Sequence, residues 1–143
     1  MTTIEPDRAS TVALEPGEGE AVGSSVIKAD RSELTLLELE VVPGGGTALH
    51  LHKLHSDSFY VLEGELELRV GDETVHATAG AYALAPPGVP HAFRNTGSVT
   101  ARALNLHAPG GFARYLRELA ELRAAGTEPD AAFFERHDIY DIE

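Results

Sequence analysis

Residues 44–70 read GGGTALHLHKLHSDSFYVLEGELELRV, and the end of this stretch decides the fold. Glu65, Glu67 and Arg69 alternate with Leu66, Leu68 and Val70. That period of two puts the three apolar side chains on one face of a half-buried strand. Gly64 precedes it and the Gly71-Asp72 turn follows it, with a further strand predicted over 73–78. Working outward, Leu37, Leu39 and Val41 alternate with Glu38 and Glu40 in a segment over 34–42, and another apolar segment runs over 59–63. Downstream, segments at 81–85, 91–95 and 99–107 are broken by Pro86-Pro87-Gly88 and by Asn95-Thr96-Gly97-Ser98. Many short strands separated by turn residues predict an all-β sandwich or barrel.

The ends of the chain read differently. Residues 1–21 mix charge with Pro16, Gly17 and Gly19 and are expected to form an N-terminal arm, ahead of a β domain over 22–109. In the tail, 110–143, Phe112, Leu116, Leu119 and Leu122 fall at helical spacing among Arg114, Arg117, Glu118 and Glu121. Gly126 is the expected stop, and Thr127-Glu-Pro129 the start of a second short helix through His137, with Phe133 and Phe134 packing it onto the barrel wall.

Composition excludes whole classes of chemistry. With 143 residues the chain is long enough for one domain with a real core. No cysteine means no disulfide, no thiolate nucleophile and no Cys-ligated metal or cluster. Eleven Lys and Arg against 23 Asp and Glu, a net charge of −12, disfavour nucleic acid and anionic membranes as partners. The first ten residues carry no apolar run suited to a signal peptide, and no stretch is long enough to span a bilayer. The chain therefore reads as a cytoplasmic protein.

Seven histidines carry the functional signal. His50 and His52, two apart in a predicted strand, project from one face, which makes them either a chelating pair for a divalent transition metal or simply a polar strand face. Around them, residues 44–64 follow G-x5-H-x-H-x4-D-x6-G, with Asp57 as the acidic position. Residues 80–95 follow G-x5-P-x-G-x2-H-x3-N, from Gly80 through Pro86, Gly88 and His91 to Asn95. These two motifs, in this order and 15 residues apart, resemble those of the cupin superfamily.

The resemblance implies an antiparallel jelly-roll barrel with short C-terminal helices and one metal inside, held by His50, His52, Asp57 and His91. Glutamate is usual where this chain has Asp57, one methylene shorter. Three outcomes stand open: a closer strand with Asp57 ligating directly, a bridging water, or His55 swinging in as a nitrogen ligand. His55 is otherwise read as an exposed loop residue. His76 and His107 read as locally satisfied strand residues, and His137 as part of the tail.

A nitrogen and oxygen donor set without thiolate suits Fe, Ni, Mn, Cu, Co or Zn. Leu66, Leu68, Val61, Phe59, Leu84 and Phe93 are the expected apolar wall around it. The chain is similar to small bacterial cupins of the quercetinase-like kind. That implies a metal-dependent dioxygenase using a small enolisable or phenolic substrate and dioxygen, with Asp57 also acting as the catalytic base. A metal-dependent isomerase, lyase or cyclase, or a non-catalytic ligand-binding cupin, are the alternatives. A homodimer is the expected assembly.

Overall fold

The computed structural model describes residues 12–142. The described chain runs through β1 (Glu20–Val22), β2 (Ser25–Asp30), β3 (Thr35–Val41), β4 (His50–Leu51), β5 (Ser56–Glu63), β6 (Glu65–Val70) and β7 (Glu73–Thr78). It continues with β8 (Tyr82–Ala85), β9 (His91–Arg94), β10 (Ala101–Ala108), α1 (Phe112–Ala124), α2 (Ala131–Arg136) and β11 (Tyr140–Asp141). Two antiparallel sheets result, ordered β1-β2-β3-β10-β5-β8 and β11-β4-β9-β6-β7, in a jelly-roll arrangement.

Alternation builds the core. Leu37, Leu39 and Val41 of β3, Phe59 and Val61 of β5, and Ala101 and Ala103 of β10 face Leu66 and Leu68 of β6 and Ala77 of β7. Leu66 and Val61 are completely buried. Removing such a side chain from water contributes about 1.5–3 kcal/mol. Gly64 alone joins β5 in one sheet to β6 in the other. Its φ of 75° and a virtual Cβ 2.9 Å from Ala101 Cα demand glycine there.

Several expectations are corrected. The strand carrying His50 and His52 is only two residues long, and His52 lies just beyond it. The described part of the N-terminal segment ends in β1, which pairs with β2, while residues 1–11 lie outside the described residues. The second helix starts at Ala131 rather than near Thr127, because the Asp130 carboxylate accepts the Phe133 N–H as its N-cap. Phe133 and Phe134 pack against Tyr115 of α1, with ring centroids 5.8 and 6.2 Å away. Leu84 is exposed, so it is no wall residue: in the edge strand β8 the inward positions belong to Ala83 and Ala85. The C-terminal strand β11, which no periodicity announces, pairs Tyr140 with Leu51 and Asp141 with His50.

Candidate metal centre

The four motif residues converge at one end of the sandwich. His50 opens β4 directly opposite His91, the first residue of β9, and their ring centroids are 4.4 Å apart. His52 follows β4 and is 1% exposed. Asp57 faces inward from β5, between His107 of β10 and Ala85 of β8.

Backbone carbonyls orient the three rings. The Nδ1–H of His50 donates to Ala48 O at 2.8 Å, that of His52 to Asp138 O at 2.8 Å, and that of His91 to Val89 O at 3.0 Å. This leaves Nε2 as the inward-facing atom of each ring, able to ligate once it carries no proton. Burial holds the His50 pKa down at about 4, keeping that ring neutral. Burial opposes the imidazolium form of His91 too, but the hydrogen bond and charge of Asp57 outweigh it and raise its pKa.

Asp57 sits among these rings. Its Oδ2 lies 2.9 Å from His91 Nε2 and 3.2 Å from His52 Nε2, while Oδ1 accepts the Asn105 side-chain N–H at 2.6 Å. Burial pushes its pKa up, yet His107 and the bonds from His52 and His91 hold it well below the usual carboxylate range. The short side chain thus still reaches the rings, and His50, His52, Asp57 and His91 form a group whose ligand atoms all lie within 4.8 Å of one another. Three committed imidazoles and one buried carboxylate form a donor set that fits a divalent transition metal.

Three further residues belong to this end of the molecule: His55, whose sequence reading is corrected, His107, a strand residue satisfied locally as expected, and Asn105. His55 is not an exposed loop residue: it is 8% exposed and its ring stacks on that of His52, with centroids 4.1 Å apart. Its Nδ1–H donates to Asp138 Oδ2 at 2.8 Å, and its Nε2 shares a 3.0 Å hydrogen bond with His107 Nδ1. His107 is fully buried, its Nε2–H donating to Asn105 Oδ1 at 2.8 Å. A continuous run of polar contacts therefore links Asp138, His55, His107, Asn105 and Asp57. Among the described residues no buried side-chain polar atom lacks a partner.

A cavity of about 480 Å³ opens onto His50, His52 and Asp57. The apolar stripe of α1, Phe112, Tyr115, Leu116 and Leu119, lines its far side with Phe59 and Phe93 of the sheets. Phe112 fixes the helix there by stacking on His107, with centroids 3.7 Å apart and planes 7° from parallel. Leu66, Leu68 and Val61 lie in the core instead. No described helix is long and apolar enough to cross a membrane.

Known proteins share this domain and fold. Residues 37–107 match the cupin domain family. Over 89 residues the chain is 37% identical to the quercetin 2,3-dioxygenase of Bacillus subtilis (strain 168), covering 57% of this chain and 26% of that protein. It therefore spans about a quarter of the length of that curated relative. The crystal structure of TT1209 from Thermus thermophilus is similar at a TM-score of 0.58 and 28% identity, covering 76% of this chain and 98% of the other. An RmlC-like cupin from Shewanella frigidimarina shares the fold at a TM-score of 0.60 and 23% identity, covering 69% and 90%. With two antiparallel sheets, both motifs at one end and the domain match across them, the chain belongs to the cupin superfamily.

Proposed function

We propose that His50, His52, Asp57 and His91 hold one divalent transition metal per chain, and that the protein is a metal-dependent dioxygenase of small enolisable or phenolic substrates. The carrying observation is the set of three rings whose Nδ1–H groups are spent on backbone carbonyls, turning Nε2 toward a buried carboxylate beside a cavity. The likeness to a quercetin 2,3-dioxygenase supports a flavonol-like substrate class.

A metal held there by His50, His52, Asp57 and His91 would supply Lewis-acid chemistry toward a substrate oxygen. The protein supplies the rest. Phe112, Tyr115, Leu116 and Leu119 offer an apolar wall to the body of the substrate. Asn105 anchors Asp57 Oδ1, which leaves Oδ2 to face the rings and to accept the substrate hydroxyl proton. A homodimer belongs to the same proposal, since β7 and β8 each end a sheet.

Elemental analysis of the purified protein beside His91→Ala tests the site. About one transition metal per chain, lost in the variant, is the expected result. An oxygen electrode with flavonol substrates then tests the reaction. Metal without oxygen consumption would move the activity to Lewis-acid isomerase or lyase chemistry, and no metal after reconstitution would overturn the reading.

A further inference from the structure

The segment that follows α2 contributes to the metal end through one residue. Asp138 has φ of 63°, a left-handed conformation that costs a non-glycine residue about 1–2 kcal/mol. Its hydrogen bonds account for that conformation. Oδ1 accepts the Lys53 backbone N–H at 2.8 Å, and Oδ2 accepts both the Leu54 backbone N–H and the His55 Nδ1–H at 2.8 Å. Its main-chain carbonyl accepts the His52 Nδ1–H at 2.8 Å. One residue therefore bonds every residue of 52–55, which has no strand partner of its own and is otherwise held by the Gly88 N–H on His52 O at 2.6 Å and by the His55–His107 contact. β11 pairs with β4 directly after it, and Ile142 N–H donates to Leu49 O at 3.1 Å, so the flank bearing His50 is held by the same segment.

We infer that Asp138 is a positioning residue of the metal centre, fixing the tautomer and direction of His52 and coupling the order of the 52–55 loop to metal affinity. This rests on the metal reading above. An outer partner that fixes a ligating ring typically contributes 10–100-fold in metal affinity. Coupling of this kind is reciprocal, so bound metal in turn protects the loop.

The test measures Zn(II) affinity by chelator competition, thermal midpoint, and hydrogen exchange at the Lys53 and Leu54 amides in the full chain. Asp138→Gly keeps the left-handed backbone and removes both side-chain oxygens with the three hydrogen bonds they accept. Asp138→Asn keeps the shape but replaces one acceptor oxygen with an NH2 group. Glu118→Gln weakens another contact of the tail, the 3.0 Å pair between Glu118 and His137, away from the loop.

The expected result is a fall of about 10–100-fold in Zn(II) affinity for Asp138→Gly, a smaller fall for Asp138→Asn, and none for Glu118→Gln. The Lys53 and Leu54 amides should exchange faster in Asp138→Gly and slower in wild type on adding Zn(II). Affinity unchanged in Asp138→Gly, or lost equally in Glu118→Gln, would overturn the inference. Should Asp138→Gly fail to fold, a fall for Asp138→Asn at an unchanged thermal midpoint supports it and no fall overturns it. Zn(II) failing to bind wild type at all would overturn the metal reading itself, an outcome distinct from binding that ignores Asp138.

Discussion

The β6–β7 hairpin and the β4–β11 pair lie in the same sheet and are held together by different means. The hairpin runs through six residue pairs in unbroken register, from Glu65 opposite Thr78 to Val70 opposite Glu73. Its inward side chains Leu66, Leu68 and Ala77 are at most 1% exposed. The β4–β11 pair has two residue pairs, and β4 meets β9 at a single one. There the geometry depends on side chains bonded to backbone: the Nδ1–H groups of three histidines and the carboxylate of Asp138. Regular ladders suffice for a core, because apolar burial is non-directional. A metal centre requires ring nitrogens aimed within fractions of an ångström, and that takes individually placed donors and acceptors.

Variants can separate the two regions. Leu68→Ala should destabilise the fold by about 2–5 kcal/mol in denaturant unfolding while leaving metal per chain unchanged. Simultaneous loss of metal from the folded protein would show the regions to be one unit. Asp57→Asn should act on the site first, lowering metal affinity by at least about 100-fold, more than loss of an outer partner typically costs. Asn105→Ala removes the N–H donor from Asp57 Oδ1 and should cost about 1–3 kcal/mol of stability, with a measurable fall in metal affinity.

The pH dependence sharpens the contrast. Burial holds His50 and His107 at pKa values of about 4 and about 3, below their ordinary 6.5. Between those values and 6.5 the unfolded chain binds more protons, so these groups cost stability as the pH falls through that window. Each contributes about 1.4 kcal/mol per pH unit inside it. His91 works the other way: its raised pKa gives stability present below 6.5 and lost as the pH rises through the folded value. Metal-free protein should therefore lose stability from pH 6.5 toward 4, as unfolding midpoints at stepped pH will check. His107→Gln should flatten that slope. The smallest effect belongs to the outer face of the hairpin, where Thr74→Ser, opposite the exposed Arg69, should change stability by no more than about 0.5 kcal/mol.

The alternation in 65–70, the turn glycines and the helical stripe of α1 were legible because each is a local, periodic signal. His50 and His52 were legible as a pair two residues apart, and Asp57 and His91 through the resemblance of the two motifs to those of the cupin superfamily. β10 shows why the rest was not. In Ala101–Ala108 the leucines suggest an inward face, yet Leu104 and Leu106 face outward, and Ala101, Ala103, Asn105 and His107 are the buried set. Period two supplies two faces without saying which is inside. The available signal was register: His107 lies opposite Asp57 and Asn105 opposite Phe59 across the β5 pairing. Asp138 and β11 were less legible still, since their partners are more than 80 residues away and no local pattern requires them.

The wall of the cavity also makes the protein its own optical reporter. The chain has four tyrosines and no tryptophan, so ultraviolet emission comes from Tyr60, Tyr82, Tyr115 and Tyr140 alone. Tyr60 and Tyr82 are exposed on the outer sheet face, whereas Tyr115 lines the cavity and Tyr140 sits on β11 beneath the Lys53 ammonium, 4.1 Å from its ring centroid. A paramagnetic ion or an absorbing aromatic ligand entering the cavity will quench Tyr115, which lines it, more than the outer pair, so occupancy can be titrated without a label.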